Sequence, residues 1–147
     1  MAYTTIDDGS KYFQALHYTG NDTGRSLTNT GNSDLQPDLV WVKDRDATND
    51  HKLTDSSRLG GGSGPTRTLE SNTENAEYDD QGEGTDATTA FNSDGFTIGT
   101  NGNYNTDGND YVAWQWKANG GTTSSFTESG NNPGGTYQAN TTAGFSI

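Results

Sequence analysis

Residues 38–58, DLVWVKDRDATNDHKLTDSSR, decide how the chain folds. The first seven alternate: Val40 and Val42 point one way, and Leu39, Trp41 and Lys43 the other. That period of two is the mark of a β-strand. Pro37 precedes it, where no ladder donor is needed. RDATND then supplies turn chemistry, and HKLTDS (His51 to Ser56) is placed to pair back. A second reading competes. Asp44, Asp46, Thr48, Asp50 and Asp55 stand at the offsets of a helix-loop-helix calcium loop, and a hard cation wants several oxygens from one compact loop. Against it, Asn49 takes the place of the glycine, Asp55 is shorter than the bidentate glutamate, and neither flank is helical. The hairpin is the stronger expectation, with Asp44, Asp46, Asp50 and Asp55 kept as a minor cation candidate. Charge pairs across such a turn contribute only a few tenths of a kcal/mol each and help set register.

Working outward, the same pattern recurs. YFQALHY (Tyr12 to Tyr18), RSLTN (Arg25 to Asn29), TRTLES (Thr66 to Ser71), TAFNSDGFTIGT (Thr89 to Thr100) and DYVAWQWKA (Asp110 to Ala118) read as strands. Asp94-Gly95 is a two-residue hairpin signal. Residues 72–86 read as a long acidic exposed loop, and RLGGGSGP (Arg58 to Pro65) as a flexible one. No long window carries a helical period. About nine short strands with turns between them give an all-β fold, an antiparallel β-sandwich or jelly roll, with a closed barrel as runner-up. Trp41, Trp114, Trp116, Phe91 and Phe96 are the expected inter-sheet core. The expected organisation is a sandwich over 1–118, a Gly/Ser/Thr/Asn-rich linker or arm over 119–142, and the start of a further strand or module at 143–147. GFSI at the end echoes GFTI at Gly95 to Ile98, so the chain reads as part of something longer.

The chain has 147 residues, one domain's length, and only 27% are apolar. Seven Tyr, five Phe and three Trp still allow a core, since each aromatic ring buries a large area. The net charge of −12 opposes phosphate backbones and anionic lipid, so neither nucleic acid nor membrane is an expected partner. There is no cysteine, hence no disulfide or thiolate site. No stretch approaches the roughly 20 apolar residues of a membrane span, and the N-terminus lacks a basic-then-apolar signal pattern.

For catalysis the inventory is thin. His17 and His51 are the histidines, and no Gly-x-Ser-x-Gly elbow supports a nucleophile. GGGSGP (Gly60 to Pro65) lacks the strand-turn-helix setting, and no lysine follows to make a phosphate loop. No spacing singles out a carboxylate pair. The expectation is a non-enzyme without a cofactor. Tyr78, Tyr104 and Tyr137 lie in polar loop-like contexts and are the candidates for exposed aromatics that stack on a ligand such as a sugar.

Four stretches in order, SDLQPDLVWVKDRDATNDHKLTDSSR (Ser33 to Arg58), FNSDGFTIG (Phe91 to Gly99), YVAWQWKANGG (Tyr111 to Gly121) and ANTTAGFSI (Ala139 to Ile147), resemble a module of tailed-phage, often marine-phage, virion proteins. The resemblance runs from about Tyr12 to Ile147, and the chain departs from the pattern at RLGGGSGPTRT, where a shorter link is expected. It implies a concanavalin-like β-sandwich on the virion surface, made in the host cytoplasm. The implied role is a structural module, an anchoring part of a tail or head fibre or a capsid decoration. The implied partners are other virion proteins and further copies of the chain, three in a fibre. The alternative is a carbohydrate-binding, lectin-like module that holds a host surface glycan. The resemblance carries over no functional residues.

Overall fold

The computed structural model describes residues 5–58, 67–79, 81–82 and 85–147; GGGSGP at 60–65 lies outside them. The strands are β1 (Phe13–Thr19), β2 (Arg25–Leu27), β3 (Leu39–Asp44), β4 (Lys52–Asp55), β5 (Arg67–Glu70), β6 (Tyr78–Asp79), β7 (Gln81–Gly82), β8 (Thr85–Asp86), β9 (Thr88–Phe91) and β10 (Phe96–Ile98). A single helical turn, α1 (Gly102–Asn105), comes next. It is followed by β11 (Asp110–Trp116), β12 (Ser124–Phe126), β13 (Gly135–Tyr137), β14 (Ala139–Asn140) and β15 (Phe145–Ser146). Apart from α1, the helical content of the described residues is a 3-10 turn at Gly9–Lys11.

Two antiparallel sheets make the body. Six strands run β1-β11-β3-β4-β5-β6, and three run β2-β10-β9. The opening stretch is the expected hairpin: β3 pairs β4 with Leu39 opposite Asp55 and Val42 opposite Lys52. The core lies between the sheets. Leu16, Val40, Val42, Tyr111 and Ala113 from the large sheet meet Leu27, Phe96 and Ile98 from the small one. Tyr104 on α1 is fully buried and fills the same layer. This is the all-β, sandwich-like fold the alternation predicts.

Three of the five expected core aromatics are elsewhere. Phe96 is fully buried and Phe91 packs at the core margin, but Trp41, Trp114 and Trp116 lie on the opposite face of the large sheet. The cause is in β11. Its inward residues are Tyr111, Ala113 and Gln115, and its outward ones are Val112, Trp114 and Trp116. The strand is apolar on both faces, so its period groups the residues without saying which group meets the second sheet.

Loops are tied down by side chains. Gln14, buried on β1, donates to the carbonyls of Ser10 and Ser33 and accepts from the Gly31 amide. The turn between β9 and β10 spans residues 92–95, longer than the two-residue hairpin expected. It is docked rather than free: the Gly95 amide donates to Leu35 O, and Asp94 accepts from the Leu35 amide. Gly95 has φ +89, and a Cβ there would sit 2.0 Å from Leu27 O, so glycine alone fits. The stretch expected as a bare loop at 72–86 instead adds β6 to the sheet edge, with Thr68 opposite Tyr78, and carries the β7–β8 pairing.

Residues 119–147 are structured as well. β12 and β13 form an exposed hairpin. Gln138 is then buried, donating to the hydroxyls of Ser56 and Ser57 at 2.8 and 2.9 Å. The fully buried Asp38 carboxylate gathers the amides of Ala118, Gly120 and Gly121 and the Ser56 hydroxyl. A buried carboxylate is tolerable when donors surround it in this way. GFSI pairs back on the chain: Asn140 faces Phe145, and Gln138 and Ile147 exchange both backbone hydrogen bonds.

Candidate functional site

The outer face of the six-stranded sheet holds a contiguous group of aromatic and aliphatic side chains, some exposed and some half-buried. Antiparallel register puts directly opposed residues on one face. One row therefore crosses five strands as Ala15, Trp114, Trp41, Leu53 and Leu69. Beside it run Phe13, Trp116 and Leu39. Phe13 is 43% exposed and Leu69 36%, while Trp41, Trp114 and Trp116 are half-buried. The rings interlock. Trp41 and Trp114 lie 5.3 Å apart at 59°, and Phe13 and Trp116 lie 5.1 Å apart at 55°. Tilted pairs at this spacing are the favoured arrangement, and they hold the rings in place without a covering layer.

Both margins of the face are built. At one, Phe145 of β15 stacks on Trp116 at 6.1 Å, and Tyr12, Phe13, Trp116, Gly144 and Phe145 enclose an open cleft of about 390 Å³. At the other, the Trp41 indole N–H donates to His51 Nδ1 over 3.1 Å. That bond leaves the proton of neutral His51 on Nε2 and fixes the Trp41 ring.

The four aspartates at calcium-loop offsets do not converge. Asp44 is fully buried and accepts from the amides of Asp46 and Ala47 and from the side chains of Asn49 and Asn109. Burial pushes its carboxyl up, but these donors outweigh burial and hold it below the ordinary value. Asp46 accepts from the Asp110 amide, Asp50 from Asn72, and Asp55 from Arg58 and the Ser57 amide. Among the described residues no group of three or more His, Asp or Glu is placed to hold a metal ion. Asp44 is the staple of the β3–β4 turn.

The candidate tyrosines separate. Tyr104 is a core residue, with its hydroxyl 3.4 Å from Thr68 Oγ1. Tyr78 belongs to a buried polar cluster on the inner face of β4, β5 and β6. There Lys52 donates to Glu70 at 2.5 Å and to the Tyr78 hydroxyl at 2.6 Å, and Tyr78 donates to Glu70 at 2.9 Å. Lys52 is the main reason that the Glu70 carboxyl is drawn down to about 2. Every member is matched, so the cluster reads as a lock between strands. Tyr137 is exposed at 42%, tilted against Phe126 at 6.2 Å on the β12–β13 hairpin. Of the histidines, His17 is exposed on β1 and His51 serves Trp41.

Sequence reasoning assigned Trp41, Trp114 and Trp116 to the inter-sheet core and offered Tyr78, Tyr104 and Tyr137 as binding candidates, so it did not name the tryptophans of this face as a site. It did not single out Phe13 and Phe145. Period two groups Phe13 with Ala15 and His17 against Gln14, Leu16 and Tyr18 without saying which set is inside; the structure buries Gln14 and Leu16, so Phe13 faces outward.

Residues 8–147 match a family profile described as a domain of unknown function. No curated protein and no solved structure matches the chain.

Proposed function

The chain belongs to the family described as Domain of unknown function (DUF7483), and we propose that it is a non-enzymatic structural module of a tailed-phage virion, acting by contact with other virion proteins. The observation that carries this reading is the row of half-buried tryptophans, flanked by exposed Phe13 and Leu69, on the outer face of the large sheet. A contiguous apolar surface on a chain that is otherwise polar and charged −12 marks a place of contact. Tryptophan and tyrosine supply the anchors of protein interfaces because they bury much area at little conformational cost. The ordered sequence motifs that resemble phage virion proteins support a contact on a particle, in a fibre or a capsid decoration. Labelling of intact virions with an antibody to this chain, viewed by electron microscopy, tests the reading. Regular labelling at one position on the particle is expected; unlabelled particles from a host that expresses the chain refute it.

A second reading has its own observation. The cleft between Phe13, Trp116 and Phe145 offers ring faces on which a sugar can stack, as a glycan-binding module requires. A glycan array probed with the chain and with Trp116→Ala tests it, and binding lost in the variant is the supporting result.

A further inference from the structure

The sandwich has four sheet edges, and three of them are guarded. β6 is two residues long, β2 is three residues long and carries Arg25, and β9 meets its neighbour through a register irregularity. Short, charged and irregular edges are the usual means of preventing strand pairing between molecules. The fourth edge, β1, is long and regular, and none of its own residues guards it. It is seven residues, FQALHYT, without Lys, Arg, acid, proline or bulge.

The hydrogen-bond phase of β1 is fixed by two bonds at its ends. The Lys117 amide donates to Tyr12 O, and the Gly20 amide donates to Asn109 O. Counting inward by twos, Gln14, Leu16 and Tyr18 bond to β11. Phe13, Ala15, His17 and Thr19 therefore turn their N–H and C=O outward. Thr19 O is taken by the Arg25 guanidinium. Phe13, Ala15 and His17 remain, and no described residue bonds to their backbone on the open side. These three are symmetric about Ala15, and all three side chains are exposed.

We propose that β1 pairs with β1 of a second copy of this chain, antiparallel, about a two-fold axis at Ala15. Ala15 then faces Ala15 of the other copy, and Phe13 faces His17 in both directions. Each of these three pairs exchanges two hydrogen bonds, because residues with outward-facing groups meet one another. The smallest side chain of the three lies at the axis, where two identical residues meet closest. Directly opposed side chains share a face, so the row Ala15, Trp114, Trp41, Leu53, Leu69 continues into its counterpart. Arg25 at Thr19 O blocks the register that would slide toward the strand end. A partner strand of another sequence satisfies the same backbone but gains nothing from this symmetry about Ala15. A two-fold contact using one patch twice is the common closed solution for identical chains.

Sedimentation of the full chain across the micromolar range tests this pairing, and needs no virion. The expected result is a monomer–dimer equilibrium. Ala15→Pro removes the outward N–H while leaving the β11 ladder intact, since proline is tolerated on the solvent side of an edge strand. It is expected to raise the dissociation constant ten-fold or more, with circular dichroism and tryptophan fluorescence unchanged. Ala15→Lys, which sets two like charges at the axis, decides in the same way if the proline variant does not fold. The chain has no cysteine, so Ala15→Cys should close a linked dimer under mild oxidation, whereas Phe13→Cys should not link to itself. A monomer at every concentration, an oligomer that neither Ala15→Pro nor Ala15→Lys weakens, or Phe13→Cys linking as readily as Ala15→Cys overturns the proposal.

Discussion

Phe145 stacks on Trp116, with ring centroids 6.1 Å apart and planes within 20° of parallel. One contact thus seats the β14–β15 pair at the margin of the aromatic face, where Gly144, at φ +69, turns the chain into β15. Trp116→Ala is expected to cost about 1–2 kcal/mol, the scale for a half-buried aromatic. It should also speed amide exchange at Gln138 and Ile147, which close that pairing. Hydrogen exchange read by mass spectrometry checks both the place and the size of the effect.

The two faces of the large sheet should answer differently to truncation. Phe96 is fully buried between the sheets, and Phe96→Ala is expected to cost about 3–5 kcal/mol. Trp114→Ala, on the outer face, is expected to cost about 1–2 kcal/mol although it removes more atoms. Urea unfolding followed by circular dichroism ranks the two. Equal losses would mean that the outer face is part of a closed core.

Much of this fold is legible from period and punctuation. DLVWVKD and HKLTDS alternate cleanly between turn residues, and pairing them needs no tertiary information. What stays hidden is the direction each face takes. In β11 both faces are apolar, so the assignment of Trp114 and Trp116 depends on where β10 packs, and that is a long-range fact. Tyr78 shows a different limit. Its neighbours are polar and acidic, as in a loop, and only the reach of Lys52 and Glu70 across the sheet explains why it joins the edge. The Asp44 offsets mislead for a third reason: a carboxylate that caps a turn and one that binds a cation use the same short spacing.

The Lys52–Glu70 pair gives stability a pH signature. Glu70 lies at about 2 in the folded chain against an ordinary 4.5. A depressed carboxyl contributes its stability above the unfolded value, and the contribution is lost as pH falls from 4.5 toward 2. Glu70→Gln should flatten the melting temperature across that window. It should also cost about 3 kcal/mol near neutral pH, because Lys52 is left buried with its charge uncompensated. Thermal melts of both proteins at a series of acidic pH values provide the check.

Asp44 should behave as a turn staple. Asp44→Ala leaves the amides of Asp46 and Ala47 and the side chains of Asn49 and Asn109 without their acceptor, and is expected to cost about 2–3 kcal/mol. Calcium should leave the melting temperature of the parent chain where EGTA leaves it. A rise with calcium that Asp44→Ala abolishes would restore the cation loop.

Oxidative footprinting of Trp41 and Trp114, comparing the isolated chain with purified phage particles, tests the central claim most directly. The account predicts that the chain is present in the particles and that both tryptophans are protected there relative to the isolated protein. Absence of the chain from the particles, or equal labelling of the two tryptophans in both states, contradicts it.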